Sequence, residues 1–246
     1  MKKLITLCLL TISFQAFSQD PFPHLETINF NMEFCGETSN IKIHYGKDLS
    51  CEMINATQGT LPKSHPLYTN EAGKNDVLVM KLNIDQKDKR EYFLIFSQGP
   101  SCDPEFAFYD ISASKFVGGL PGVELFIPGN GKFYASGHFN ALFNIKRKYV
   151  FDGKKFEEVK PEFYYVGLKT KTLKNIKLFS DESLTQVIAD LPSNYGIEVL
   201  VAKRPENFTL EWKYLVKTKF GLVGWTIIKG EQFKSTDVDG IYFKGD

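Results

Sequence analysis

Short stretches in which apolar and polar residues alternate recur along almost the whole chain, and this periodicity of two is its strongest constraint. Ile28, Phe30 and Met32 alternate with Thr27, Asn29 and Asn31, and Ile41-Lys42-Ile43-His44-Tyr45 repeats the pattern. Side chains on a strand point alternately to opposite faces, so such segments read as half-buried strands. Val77 to Ile84 and Tyr92 to Phe96 are more continuously apolar and read as interior strands, with the polar stretch Asp85 to Arg90 as the turn between them. Phe106 to Ile111 and Val123 to Ile127 read as further strands. Apolar residues at helical spacing are scarce. Only Glu182 to Leu191 has room for about two helical turns, stopped by Pro192. The fold class expected is all-β.

Turn chemistry divides the strands. Gly118 to Gly122 and Pro128 to Gly131 read as turns. Asp152-Gly153, between Tyr149-Val150-Phe151 and Lys154-Lys155-Phe156, favours a tight hairpin, because glycine tolerates positive φ. Thr57 to Asn75 and Arg204 to Phe208 read as loops. A boundary near Pro161 splits residues 19–160, expected to form a β-sandwich-like domain, from residues 161–246. The tail Asp239 to Asp246 is expected to be an ordered strand, paired with a strand of the C-terminal domain or with the connector Phe163 to Leu168, because Ile241-Tyr242-Phe243 is costly to leave in water.

The first 18 residues read as an export signal. Lys2 and Lys3 precede the uncharged apolar run Leu4 to Phe14, and Ala16-Phe17-Ser18 places small side chains before a cut at Gln19. The run falls short of the about 20 apolar residues that span a bilayer. Cys8 lies too early, behind the bulky Leu7, for lipid attachment. A periplasmic or secreted location follows as the expectation, with no transmembrane segment after cleavage. Cleavage takes 30 Lys+Arg to 28, by removing Lys2 and Lys3, against 29 Asp+Glu. A nearly neutral chain lacks the basic excess of a nucleic-acid or membrane-surface binder.

Ile176 to Ile227 resembles the bacterial SH3-like domain. Leu178-Phe179-Ser180-Asp181 matches its opening strand, Val187-Ile188-Ala189-Asp190-Leu191-Pro192 its leucine-proline strand, and Ile197-Glu198-Val199-Leu200-Val201 its valine-rich strand. Tyr214-Leu215-Val216-Lys217-Thr218 and Phe220-Gly221-Leu222-Val223-Gly224-Trp225 match its last two strands, with Gly221 in the turn, Gly224 where another backbone comes close, and Trp225 folded over the core. The resemblance implies a small β-barrel and an accessory role beside the cell wall, docking peptidoglycan or peptides. The usual enzymatic companion of such domains has an aspartate-cysteine-serine-glycine motif, whereas this chain has Pro100-Ser101-Cys102-Asp103-Pro104.

Chemistry-bearing residues form no familiar set, and no cofactor is expected. The four histidines, His24, His44, His65 and His138, stand about twenty or more residues apart, unlike clustered zinc ligands. Asp237-Val238-Asp239-Gly240 lacks the later ligands of a calcium loop and reads as a solvated turn. Ser97 has only one glycine of a nucleophile elbow and reads as a strand end. Three cysteines outside the signal run suggest one disulfide and one leftover thiol, with Cys35–Cys51 the nearest pair and Cys51–Cys102 the alternative. Tyr195, Trp212 and Tyr214 are the candidate ligand-facing aromatics, since rings suit both sugar faces and extended peptides. The function expected is a non-catalytic envelope protein that binds cell-wall glycan, peptide or an envelope protein. Two alternatives stand beside it. One is a hydrolase built on convergence of His138, Asp110 or Cys102 with Ser97. The other is an inhibitor or adhesin presenting Thr57 to Asn75.

Overall fold

The structure is a computed structural model that describes residues 22, 24–34, 36–54, 76–99, 101–207 and 209–245. The expected export signal, Cys35 and the segment Thr57 to Asn75, expected to be a loop, lie outside the described residues.

The described chain is all-β, as the alternation implies. One six-stranded sheet holds β1 (Leu25–Phe34), β2 (Glu37–Gly46), β8 (Glu124–Ile127), β9 (Lys132–Gly137), β10 (Ile145–Phe151) and β11 (Phe156–Val159), in that order. A five-stranded sheet runs in sequence order through β3 (Cys51–Met53), β4 (Asp76–Leu82), β5 (Tyr92–Ser97), β6 (Glu105–Asp110) and β7 (Lys115–Pro121). All pairs are antiparallel except β2 with β8. Alternate side chains of the two sheets meet in one apolar core, in which Ile41, Ile43, Leu125 and Phe133 of the first sheet pack with Val79, Leu94, Phe96 and Phe108 of the second.

A second six-stranded sheet follows, ordered β12 (Phe163–Lys171), β15 (Gly196–Lys203), β16 (Glu211–Thr218), β17 (Val223–Lys229), β13 (Ile176–Phe179) and β14 (Val187–Leu191). Its inner face buries Tyr164, Ala202, Tyr214, Val216 and Ile228. At the turn between β16 and β17, Gly221 has φ +96, and its amide donates to the Thr218 carbonyl. A Cβ on Gly224 would stand 3.0 Å from both the Leu178 side chain and the Phe179 carbonyl, so the bare glycine lets β17 close on β13.

The halves share a core across the Pro161 connector. Ala141, Leu142, Phe143 and Ile145, between β9 and β10, are buried with the inner face of the last sheet. The Phe143 ring meets Trp212 edge-on at 5.7 Å and Tyr214 at 6.2 Å. The tail completes this junction: Val238 and Ile241 are fully buried. It touches a strand of the last sheet, as expected, where the Asp239 amide donates to the Lys171 carbonyl of β12 at 3.0 Å, and it also reaches the first half, where the Tyr242 amide donates to the Leu142 carbonyl at 3.0 Å and the Lys244 amide to Ala141 at 3.1 Å. The tail thus bonds to both halves, with isolated bridges in place of the expected regular strand.

Three further expectations are corrected. Residues 182–191 form no helix. The Asp181 carboxylate accepts from the Ser183 amide and hydroxyl, which turns the chain, and the rest pairs as β14 with β13. Gly118 to Pro121 is strand β7, not a turn, and the glycines make room for the Phe156 ring and the Glu105 carboxylate against the strand. Asp237 is not solvated. It is buried, accepts from the Lys229 amide at 3.2 Å and pairs with Lys174 at 2.7 Å.

Candidate functional site

Cross-strand register decides which aromatics face outward. On the last sheet, Tyr164, Ala202, Tyr214 and Thr226 face one another on the buried side. One residue along, Tyr165 pairs with Val201, Val201 with Leu215, Leu215 with Trp225, Trp225 with Phe179, and Phe179 with Val187. This is one unbroken apolar row across all six strands on the outward face. Tyr165 is 56 % exposed and Val187 43 %, while the four residues between them are partly buried. Phe163 extends the row beside Trp225, with ring centroids 6.1 Å apart. Patches of this kind mark interaction surfaces on soluble proteins.

The anticipated aromatics divide differently from expectation. Tyr214 is wholly buried, its hydroxyl finds no hydrogen-bond partner, and burial drives its pKa far upward. It is a core residue and not a ligand contact. Trp212 shares its inward parity and wedges against Phe143 and Tyr164 at the junction. Tyr195 packs partly buried against the same core. Trp225, expected over the core, stands on the outward face. The sequence signal for this was present: Lys229 on β17 and Lys213 and Lys217 on β16 mark the water-facing parity, which Trp225 and Leu215 share.

A pocket of about 170 Å³ lies at the junction, lined by Phe143, Arg147, Glu158, Arg204 and Trp212 among others. Arg147 and Glu158 pair across 3.9 Å. Ligand pockets usually hold about 300–1,000 Å³. The junction pocket therefore suits a few waters or one small group, not a glycan or a peptide of several residues.

Catalytic convergence fails for the residues singled out. On β5 and β6, Ser97 pairs with Glu105, while Asp110 pairs with Tyr92 five residues away, a separation of roughly 17 Å at about 3.4 Å per residue. The Asp110 carboxylate is occupied by the Ser112 hydroxyl at 2.8 Å and the Ala113 amide at 2.9 Å. His138 bonds the Tyr242 carbonyl at 3.0 Å and packs on the Tyr242 ring. Cys102 is disulfide-bonded and Cys51 is a free thiol, which overturns both anticipated pairings because each uses Cys51. Burial and the Glu26 charge raise the Cys51 pKa, which keeps it the poorly nucleophilic thiol. Among the described residues no three His, Cys, Asp or Glu side chains gather as for a metal ion.

Two polar constellations escaped sequence reasoning, because both depend on register between distant strands. The Thr27 hydroxyl lies 2.7 Å from His44 Nδ1, and His44 Nε2 lies 3.1 Å from Glu124 Oε1. The order hydroxyl, imidazole, carboxylate satisfies the distances of a relay. Thr27, however, is exposed mid-strand, where water reaches it freely, so the arrangement lacks the enclosed, preorganised environment that acyl transfer needs.

The second is Asp76 and Glu105, which flank Ser97 in register. Burial raises both carboxyl pKa values. The Ser97 hydrogen bond offsets part of the effect at Asp76, and the charge of Asp76 adds to it at Glu105. A carboxyl raised in the folded state supplies stability that is complete below its unfolded pKa and is lost as pH rises through the folded pKa. Asp76→Asn should therefore raise the melting temperature by a few degrees at neutral pH, with the gain vanishing below about pH 4, where unfolded carboxyls are protonated too. Melting curves of both proteins across that range check the sign; a gain largest in acid would be the opposite of what the burial implies.

No known protein family, curated protein or solved structure matches the chain.

Proposed function

We propose that the protein is an exported, non-catalytic binding protein of the bacterial envelope, which docks an extended cell-wall peptide or glycan through an SH3-like C-terminal domain. The outward apolar row from Tyr165 to Val187 carries this reading. With strands about 4.8 Å apart, six of them span roughly 24 Å, the length of about seven extended residues at about 3.3 Å each. Such a row offers ring faces and aliphatic edges along a line and suits a chain-like ligand better than a compact one. Aromatic side chains give large contact area for little lost rotamer freedom. The reading of the first 18 residues as an export signal and the resemblance of Ile176 to Ile227 to SH3-like strands support an envelope ligand.

Pull-down of residues 19–246 on purified peptidoglycan tests the assignment. Enrichment over an unrelated exported protein of similar charge is expected. Equal recovery of the two would remove the cell wall as the partner.

A further inference from the structure

The two margins of the apolar row are charged very differently. On one side, Lys203 is held by Glu162 at 3.1 Å and by Glu182 at 2.6 Å, and the Lys213 ammonium donates to the Glu182 carbonyl at 2.8 Å. That margin is neutralised within the fold. On the other side, Lys169, Glu198 and Lys217 form one cross-strand row on the outward face. The next outward row has Lys171 opposite Gly196, with Lys219 just past the end of β16. Four exposed lysines thus surround one glutamate, Glu198, which pairs with Lys217 at 3.5 Å. Among the described residues, Lys169, Lys171 and Lys219 form no ion pair within 4.0 Å.

The floor between these lysines is hollow. Gly196 has no side chain, and a Cβ there would stand 2.3 Å from Lys219 Cε, so the Lys219 chain lies across the glycine toward β12. The resulting groove holds about 660 Å³ and is open to solvent, with Asp239 the other acid on its rim. Like charges on neighbouring strands of one sheet face disfavour the folded state. A fold that neutralises one margin with Glu162 and Glu182, and sets only Glu198 and Asp239 against four lysines on the other, keeps a net positive charge there. Multivalent anions offset such a charge.

We propose that this lysine-walled groove is a binding site for a polyanionic chain, one bearing several oxyanion groups in series, either phosphates or carboxylates. It stands on charge and register and does not require Trp225. The first lysine row lies two residues, about 7 Å, along the strands from the apolar row, so one extended ligand is able to touch both.

Titration calorimetry of residues 19–246 with inorganic polyphosphate and, separately, with poly-glutamate tests the site. At low ionic strength at least one polymer should bind, and the one that binds identifies the oxyanion. Raising the salt to about 0.15 M should weaken the complex sharply, as screening and ion release require. Lys171→Gln with Lys219→Gln should weaken it by about tenfold or more, since both exposed side chains lose their charge at the groove floor. The control Lys115→Gln with Lys132→Gln, which removes equal charge from the first half, should leave affinity within about twofold. Trp225→Ala should leave the polymer bound even if it abolishes peptidoglycan recovery, which separates this site from the docking row. Binding of neither polymer, or equal losses in the groove and control variants, would overturn the proposal.

Discussion

Ending the chain after Lys234 should cost about 3–9 kcal/mol, the burial of two to three apolar side chains at about 1.5–3 kcal/mol each. The residues concerned are Val238 and Ile241, both fully buried, and the partly buried Phe243. The loss is large against the about 5–15 kcal/mol that holds a typical domain folded. It should not stay local. The tail amides of Tyr242 and Lys244 bond to Leu142 and Ala141 of the first half, and the Leu173 and Asp239 amides tie the tail to the end of β12. Urea unfolding of the truncated and full chains measures the cost, and amide exchange should quicken at 141–143 as well as in the last sheet. An unchanged unfolding midpoint would mean that the tail only decorates the fold.

Phe143→Ala should cost about 3–5 kcal/mol, the usual range for emptying a buried phenylalanine site. Its ring is 3 % exposed and touches both Trp212 and Tyr214, so its loss opens a cavity where the two halves share a core. In the wild-type chain two probes should report one transition. The tryptophans, Trp212 and Trp225, both lie in the last sheet, and the free thiol of Cys51 lies in the first half. If Phe143 couples the halves, tryptophan fluorescence and thiol labelling coincide in wild type and separate in the variant. A cost below about 1 kcal/mol, outside the range for such a cavity, would show that each half stands alone.

The fold class was legible because strand periodicity is local. Thr27 to Met32 and Ile41 to Tyr45 each advertise two faces within a few residues, Tyr92 to Phe96 is a short continuous apolar run, and each became a strand. The Asp152-Gly153 signal marked its hairpin, where the Asp152 carboxylate accepts from the Lys154 and Lys155 amides. Segment 182–191 misled because its apolar spacing fits a helix over two turns, whereas Asp181 and the pairing with β13 decide otherwise. The same limit governed the site. Parity along β16 and β17 carries enough information to turn Tyr214 inward and Trp225 outward. That Tyr165, Leu215, Trp225 and Phe179 join into one row depends on the register of β12, β15, β16, β17 and β13. No window of sequence contains that register. The uneven lysine margins and the bonds from the tail to Ala141 and Leu142 are legible only once distant strands are paired.

The claim that the outward row is the docking surface is tested most directly by peptidoglycan recovery of Tyr165→Ala with Trp225→Ala beside the wild-type chain. Both side chains lie on the solvent side of the sheet, so the melting temperature should change little. Loss of two aromatic anchors should cut recovery by about tenfold or more, as removal of central interface residues does. Wild-type recovery by a folded double variant would contradict the account.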